Sequence, residues 1–483
     1  YGSESNGLGT TRMMNAQRQH AYSYNLVSKS ESSSTHFNAN FDYQRSFKKK
    51  GEYLTFSYRY GTSPNSNESH TDYADIKDYP YDASYLFNQF YDNEARTDEH
   101  IFQLDYTNPI NKVHSIDFGG KYILRTNKSE SDYYKKSVTD NDYYLDERPE
   151  SYYQQRHDIA SAYADYMVKT KKVSAKAGVR YEHTFSDVKY EKMPERNFDA
   201  GFDNLVPSFR VGYQLAPSKM LSLSYQMRIS RPNINLLNPF RNTSNPTSVH
   251  YGNPDLDPAK SHRFGLSINS FSAKFSTNIN LSYRLVNNSI QSYTFMQDGI
   301  QHSTYANIGR AQTTDLFIWL NWNPGNKMRI SINAGGSYND YKSKSDQLDA
   351  KNHGFQGNMN LNFQYTLPWD LRFSAYYGGS TPYISMQGKG SSYSYYGFGL
   401  NRSFLKNKRL TISLNTNNSF NKYRTSESET LTSTFRTQSK SKYAQSFYGV
   451  SISWRFGELK ASVKKTAKSI SGDDIMATQQ SGS

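Results

Sequence analysis

Closely spaced carboxylates are the residues of this 483-residue sequence that could best support acid and base chemistry. Asp140 with Asp142, and Asp146 with Glu147, form close pairs of the kind that general acid and base catalysis uses. Both pairs lie in a polar stretch between two more apolar segments, where carboxylates usually face water. We therefore interpret them as a solvated surface, and we expect no catalytic site and no enzyme.

Metal and cofactor chemistry has equally little support. One acidic group could offer oxygen atoms to calcium but lacks the spacing of a calcium-binding loop; it consists of Asp92, Glu94, Asp98 and Glu99. The histidines are dispersed, as at His100, His114, His157 and His183. There is no cysteine, so neither a thiolate site nor a disulfide can form. We expect no metal, no cofactor and no cofactor-binding residue, and the substrate-binding residues stay unknown at this point.

The composition is unusual for a soluble globular protein. Hydrophobic residues make up 35% of the chain, below the usual share of roughly 45 to 50%. Aromatic residues nevertheless reach 15%, with 42 tyrosines, whereas a disordered chain is poor in them. The formal charge of +14 raises the question of nucleic acid. The basic residues are spread over turns and strands, however, so we expect no nucleic-acid partner.

Strict alternation of apolar and polar residues is the main structural signal. From Phe355 to Tyr365 every second residue is apolar or glycine, and every residue between them carries an amide. Side chains of a strand point alternately to two faces, and no helix has this period. The pattern returns at 221–230, 275–285, 410–415 and 448–456. We count about seventeen such segments between Ser32 and Phe456, each around the ten residues that a tilted strand needs to cross a bilayer.

The connections alternate between short turns and long polar loops. The short turns are Lys48–Gly51, Asn108–Lys112, Thr170–Lys172, Ala216–Lys219, Ser272–Lys274, Asn323–Lys327, Leu367–Asp370 and Phe404–Lys408. The long loops include Gly61–Arg96, Asn127–Gln155, Phe185–Phe202, Pro232–Asp257 and Asn421–Gln438. Outer-membrane barrels have short periplasmic turns and long external loops. The sequence therefore predicts an all-β fold, a transmembrane antiparallel β-barrel in the outer membrane of a Gram-negative cell.

A soluble β-sandwich or propeller, such as a carbohydrate-binding protein, is the alternative fold. Its strands are typically about five or six residues long, and its loops have no reason to alternate in length. The two classes differ in their apolar rows, because lipid-facing rows should carry almost no charge. Most tyrosines are expected to form interfacial girdles. Loop tyrosines could instead form a ligand surface, and these are Tyr79, Tyr81, Tyr85, Tyr143, Tyr144, Tyr152 and Tyr153.

Three segments carry a family resemblance. Arg228–Pro232, followed by Leu237–Phe240 and Gly252–Pro258, resembles the strand, loop and strand signature of TonB-dependent receptor barrels. Phe41–Leu54 and the ending Ser453–Gly457 are similar to the Bacteroidetes outer-membrane β-barrel branch of that family. The resemblance extends from about Ser32 to the tail.

The resemblance implies a barrel of about 22 strands in the full protein, closed around an N-terminal plug. It implies a transporter or receptor that imports a scarce nutrient with energy from the TonB system, and a surface lipoprotein as a possible further partner. With about seventeen strands in this chain, we expect the chain to be a fragment that lacks the plug and the first strands. A passive porin or a surface adhesion barrel, without energy coupling, is the alternative function.

The predicted barrel segment divides the chain into three parts. Residues 1–31 are expected to be an extracellular loop or partial strand, residues 32–456 the transmembrane β-barrel portion, and residues 457–483 a periplasmic C-terminal tail. Outer-membrane lipid is the expected surroundings of the middle part. Arginines of the polar rows are expected to line the lumen and to pair with carboxylates there; they are Arg59, Arg180, Arg228, Arg284, Arg329, Arg372 and Arg455.

Overall fold

A computed structural model describes most of the chain. The described residues are 2–14, 20–79, 86–139, 141–147, 151–237, 242–245, 248–297, 300–343, 350–431 and 436–457. Within them, one four-residue helix, α1 (Ile234–Leu237), and three single-turn 3-10 segments are the only helical elements. No helix in these ranges is long and apolar enough to span a bilayer.

β-Strands make up nearly all of the described chain. The first half contains β1 (Gly2–Met14), β2 (His20–Ser34), β3 (Phe37–Ser46), β4 (Tyr53–Lys77), β5 (Phe87–Pro109), β6 (His114–Ser137), β7 (Tyr144–Leu145), β8 (Tyr153–Lys169), β9 (Val173–Tyr190), β10 (Phe198–Ala216) and β11 (Lys219–Ser230). The middle contains β12 (Asn242–Asn245), β13 (Ser248–His250), β14 (Ala259–Ser270), β15 (Phe275–Gln297), β16 (Ile300–Trp322), β17 (Met328–Ser343), β18 (Lys351–Thr366) and β19 (Arg372–Ser380). The last part contains β20 (Ile384–Ser385), β21 (Gly388–Lys389), β22 (Tyr393–Phe404), β23 (Leu410–Asn417), β24 (Tyr423–Leu431), β25 (Arg436–Ala444) and β26 (Phe447–Trp454).

Seventeen of these strands form one antiparallel wall, in which each strand pairs with the next along the chain. They are β3–β6, β8–β11, β14–β19, β22, β23 and β26. The all-β fold, the antiparallel order and the strand count expected from the alternating rows are thus confirmed. Among the described residues β3 and β26 do not pair with each other, so the sheet described here is open.

The register continues the alternating rows from strand to strand. Phe363 of β18 pairs with Ile330 of β17, and Asn362 beside it pairs with Ser331. Apolar residues therefore share one face of the wall, called the outward face here, and amides and hydroxyls share the inward face. Cross-strand neighbours are in contact, so apolar residues pack against apolar residues on the outward face, and polar residues contact polar residues on the inward face.

Burial is inverted relative to a soluble protein. Thr55 and Ser57 on the inward face are 0% and 1% exposed, whereas Phe56 between them is 37% exposed. The outward rows of β15 (275–285) and β18 (355–365) contain no charged residue. A soluble sheet would bury the apolar row and tolerate charge on the exposed one. The soluble alternative therefore fails, and the outward face is the one that contacts lipid.

All eight predicted short turns are present. They occupy 47–52, 110–113, 170–172, 217–218, 271–274, 323–327, 367–371 and 405–409. By the rule that short turns face the periplasm, these turns mark that side of the membrane.

Several predicted long loops are largely strand, and that prediction is wrong. The segment expected to be a loop from Gly61 to Arg96 lies mostly in β4 and β5, which pair as far as Thr71 and Gln89. Most of Phe185–Phe202 continues β9 and β10 in the same way. The reason is that backbone pairing continues above the bilayer after the outward row turns from apolar to polar, as it does on β4 after Tyr60.

Two further pairings depart from the simple meander. β3 pairs with the first part of β4, up to Thr62, and β2 pairs with the part of β4 beyond it, from Asn65 to Lys77. β1 pairs in turn with β2. β13 pairs with β16 in parallel, from Ser248 opposite Gln301 to His250 opposite Ser303. β20, β21, β24 and β25 form a separate small sheet on the long-loop side of the wall.

Candidate functional site

The inward face has two sectors of different chemistry. From β4 to β16 its rows carry acids and bases, whereas among the described residues of the wall strands β17–β19, β22, β23 and β26 the only charged inward residues are Arg329 and Arg372, both near short turns. The rest of the second sector consists of amides, hydroxyls, tyrosines and glycines, with one phenylalanine at Phe447. The two sectors can therefore hold different kinds of partner.

Hydrogen bonds and ion pairs organise the charged sector. The Tyr163 hydroxyl donates to Asp105 at 2.6 Å, and its ring lies against Gly119, where an added Cβ would be 2.3 Å from Tyr163 Cζ. Glycine is needed at that position because only a residue without a side chain lets the ring cross. A polar cavity of about 370 Å³ opens beside these residues and is also lined by Asp165 and Lys176.

The most buried charges lie where β9 meets the segment after β11. Glu182 is 1% exposed and accepts hydrogen bonds from Arg180 and, at 2.8 Å, from Arg231. Arg231, itself 3% exposed, also donates to the Thr184 hydroxyl at 2.8 Å. A second buried pair joins Arg125 to Glu99. Because these charges are paired with one another, we assign them a structural role in the upper wall and not a role in ligand binding.

The seven arginines predicted for the lumen all lie on the inward side of the wall by register or by continuation of an inward row. Four of them donate hydrogen bonds to wall side chains: Arg59 to Asn38 at 3.1 Å, Arg284 to Thr313 at 3.5 Å, Arg329 to Asn321 at 2.7 Å, and Arg180 to Glu182. The predicted pairing with wall carboxylates thus applies to Arg180. Direct contact of the others with a ligand stays a prediction.

The uncharged sector contains a cleft on the long-loop side, which we call the amide cleft. Its volume is about 620 Å³, and it is bounded by the inward rows of β17, β18, β19 and β22 and by one face of the β24–β25 hairpin. Seven serine or threonine hydroxyls, three tyrosines, two carboxamides, two glycines and one arginine line it. Among the described residues, the lining contains no carboxylate and no aliphatic side chain.

Local contacts explain how the hairpin and loop close over the wall. Thr381 accepts from the Gly357 backbone N–H at 2.7 Å, and Gln356 accepts from the Ile384 N–H at 3.1 Å. Ser391 and Ser426 share a hydrogen bond of 2.6 Å between the loop and β24. The small sheet is therefore fastened to the upper end of the wall, and the cleft is a preformed feature.

The loop tyrosines proposed as a ligand surface are mostly used in packing. Tyr153 is 2% exposed and packs edge-on against Tyr190. Tyr152 donates to Asp132, and Tyr143 lies against Lys136. Tyr81 and Tyr85 lie outside the described residues. The amide cleft's tyrosines were missed, although the run of serines and tyrosines at 391–396 was a signal.

The signature segments of the sequence build a fastened loop on the extracellular side. Leu236, Leu237 and Leu256 are buried against Val286 and Ile290. Tyr305 packs on this cluster, and burial raises the pKa of its hydroxyl. Asn238, Pro239 and Phe240 lie outside the described residues. The motif thus has a structural role wherever it is described.

The Asn253 side chain holds that loop in place with two hydrogen bonds. Its side-chain amide donates to the Tyr305 carbonyl at 2.9 Å and its oxygen accepts from the Asp255 N–H at 2.9 Å. Since a net protein hydrogen bond contributes about 1 kcal/mol, Asn253→Ala should lower the local opening free energy of residues 251–258 by about 2 kcal/mol. Hydrogen exchange followed by mass spectrometry measures this. Asn6→Ala, on exposed β1, is the control, and unchanged exchange at 251–258 would contradict the role.

No group of three or more histidines or acids among the described residues could hold a metal ion. The four acids considered for calcium lie on β5, where Glu99 pairs with Arg125 and Asp98 with Arg96. Asp140, of the first acidic pair, lies outside the described residues.

A lipid-facing outward surface, a polar inward surface and trimmed turns on one side define a membrane-spanning β-barrel wall of the outer membrane. Residues 45–454 match the model of the outer membrane protein beta-barrel family, and the chain belongs to that family. No curated protein matches the chain.

Solved structures similar to this one include three transporters or receptors. The ferric yersiniabactin uptake receptor FyuA from Yersinia pestis aligns with a TM-score of 0.54 and 13% identity over 95% of this chain and 75% of its own. The siderophore receptor PiuA from Acinetobacter baumannii gives 0.53 and 12% over 94% and 77%, and the copper transporter OprC gives 0.57 and 9% over 94% and 81%. At these identities the similarity shows the fold alone.

Proposed function

We propose that this chain forms the wall of a TonB-dependent receptor that captures a polar nutrient outside the cell and admits it through the lumen. The observation that carries this proposal is the amide cleft, because it opens on the inward face at the extracellular end of the wall. A ligand held there lies at the entrance of the lumen. The similar solved structures are those of an uptake receptor, a siderophore receptor and a copper transporter, which supports the same function.

The remaining parts of the proposal rest on the sequence motifs. The signature segments favour the Bacteroidetes branch, a plug domain and TonB as energy-coupling partner, with a surface lipoprotein as a possible partner at the loops. The receptor passes its ligand chemically unchanged and does not act on nucleic acid. The tail beyond Gly457, including its lysines, lies outside the described residues and is assigned to the periplasm.

Planar-bilayer conductance of the full-length protein separates a plugged receptor from a passive porin. A receptor whose lumen is filled should show no steady conductance, and ligand accumulation in cells should stop when TonB is removed. Steady open-channel conductance together with TonB-independent accumulation would replace the proposal by the porin. Slower gel migration after heating would confirm the barrel itself in either case.

A further inference from the structure

The lining of the amide cleft indicates which ligand it can hold. We infer that it binds a neutral, polyhydroxylated molecule of the oligosaccharide class, an inference that rests on the receptor function proposed above. Twelve of its fifteen described lining residues carry a hydroxyl or a carboxamide. These groups both donate and accept hydrogen bonds, as sugar hydroxyls do, so each can match a hydroxyl in either role.

Several of these polar groups are open to a partner. Asn358, Ser380, Ser428 and Ser441 line the cleft, and their side chains make no hydrogen bond to any residue in the described part of the chain. By contrast, Ser337 already donates to Asp315 at 2.6 Å. Four unused amide or hydroxyl groups around one cavity match a ligand with many hydroxyls, because a ligand that leaves polar groups unpaired in a closed site loses affinity.

Aromatic surfaces in the cleft suit the apolar C–H faces of sugar rings. Tyr393 lines the cleft, and Tyr395, which lies outside the lining, stacks with it with ring centroids 6.2 Å apart and ring planes 14° apart. The Arg424 guanidinium lies over the Tyr393 ring at 5.3 Å and over the Tyr443 ring at 5.7 Å. Rigid, amphipathic rings give contact area at low entropic cost. Arg424 thereby lies between two rings and widens the flat surface.

Charge argues against an ionic ligand. Arg424 is the single charged residue among the described residues of the lining, so a polyanion would find one cation there and a polycation would find no carboxylate. Transfer of unpaired charge out of water is costly. A neutral ligand meets no such penalty, and the cavity lies within the usual size of pockets for small molecules, roughly 300 to 1,000 Å³.

An array of immobilised neutral and acidic oligosaccharides tests the inference with detergent-solubilised full-length protein. We expect retention on neutral glycans only, weakened about tenfold or more by Tyr393→Ala, since truncation of a central aromatic contact has effects of this size. Tyr338→Ala, on the outward row of neighbouring β17, is the matched control and should bind as the unchanged protein does. Heat-modifiable migration verifies that each variant is folded.

Two results would overturn the inference: no retention on any neutral glycan, or retention that Tyr393→Ala leaves intact. Binding in detergent needs neither a plug nor TonB. A protein that binds neutral glycans but conducts steadily in bilayers would therefore refute the receptor function alone, and a non-conducting protein that ignores neutral glycans would refute the cleft's chemistry alone.

A different observation concerns the short-turn rim, defined as the eight short turns together with Lys219. This rim contains twelve basic residues and two acids, Glu52 and Asp370. Lys48, Lys49 and Lys50 lie in the first turn and are exposed. The rim therefore holds most of the excess positive charge of the chain.

The rim lysines whose side chains the structure describes lack carboxylate partners. No salt bridge in the described ranges includes one of them, whereas the extracellular side has several, such as Lys128 with Glu130 and Lys440 with Glu427. Trp369, which is 79% exposed, lies in the turn 367–371. Trp454 is the last residue of β26 and pairs with Leu410, which directly follows the turn 405–409. Tryptophan at this level marks the headgroup region.

The geometry points to anionic phospholipid headgroups of the periplasmic leaflet as the partner of this rim. A ring of exposed ammonium groups without carboxylate partners, beside interfacial tryptophan, matches a plane of phosphates, and each such lysine adds to the attraction within a Debye length of the surface.

Reconstitution in phosphatidylethanolamine bilayers containing some phosphatidylglycerol tests this. The enrichment of spin-labelled phosphatidylglycerol around the protein should fall severalfold when Lys48, Lys49, Lys50, Lys171 and Lys172 are replaced by glutamine, and high salt should lower it in the unchanged protein.

The control variant removes the same charge from the opposite side, at Lys29, Lys128, Lys189, Lys440 and Lys442. It should keep the enrichment. Equal loss in both variants, or no enrichment around the unchanged protein, would show that the rim does not select anionic lipid and would leave a periplasmic protein as the alternative partner.

Discussion

Glu182→Ala should lower the free energy of unfolding by about 3 to 5 kcal/mol, because it removes the counter-charge of the buried Arg231 and of the half-buried Arg180. Glu182 is 1% exposed and Arg231 3%, so the Arg231 guanidinium would stay buried without its carboxylate. Glu182→Gln keeps an acceptor but not the charge, and an intermediate loss is expected. Guanidinium unfolding of the refolded barrel in lipid vesicles, followed by tryptophan fluorescence, measures the change.

An exposed ion pair is the control for this prediction. Glu427 pairs with Lys440 on the hairpin, with side chains 51% and 68% exposed. Such pairs contribute about 0 to 1 kcal/mol, so Glu427→Ala should leave unfolding almost unchanged. If the Glu182 and Glu427 variants unfolded alike, the buried cluster would not be a stabilising feature of the wall.

Leu281→Arg should cost about 2 to 4 kcal/mol, the penalty for arginine on the lipid face near the bilayer midplane. Leu281 is on the outward row of β15, opposite Leu266 and Leu316, and is 44% exposed. The charge would be placed in hydrocarbon, where it has no partner. The same vesicle unfolding assay gives the difference in free energy.

Asn280→Arg is the matched control, one residue away on the inward row. Its side chain points to the lumen, opposite Ser267 and Phe317. We expect a change of less than about 1 kcal/mol, because the lumen is wet. A larger loss for Asn280→Arg than for Leu281→Arg would reverse the assignment of the two faces.

The membrane-embedded part of the fold could be predicted from the sequence because lipid and backbone pairing impose one rule on every strand. Phe355–Tyr365 shows its period of two without any knowledge of its neighbours, and Lys48–Gly51 is recognisable as a turn by its own residues. The extent of the strands above the bilayer could not be predicted. There both faces of β4 meet water, so Ser66 and Glu68 look like loop residues although their backbones are paired.

The amide cleft was beyond sequence analysis for a different reason. Asn358 and Tyr393 could be assigned to a face, but their meeting with Arg424 depends on how the β24–β25 hairpin folds back over the wall. That contact joins segments far apart in the chain through a few side-chain hydrogen bonds, such as Ser391 with Ser426. The motif around Asn253 was noticed, yet its spacing carried no information on whether it fastens a loop or binds a ligand.

The long strands β4, β5 and β6 extend beyond the bilayer and determine which part of the protein large particles outside the cell contact first. β4 has 25 residues, about 80 Å of extended chain, and about ten of them suffice to cross the hydrocarbon. At a tilt of about 45° the remainder rises about 35 Å above the lipid as a collar with water on both sides. Bulky bodies such as antibodies or phage fibres meet this collar before the bilayer, whereas small solutes pass inside it.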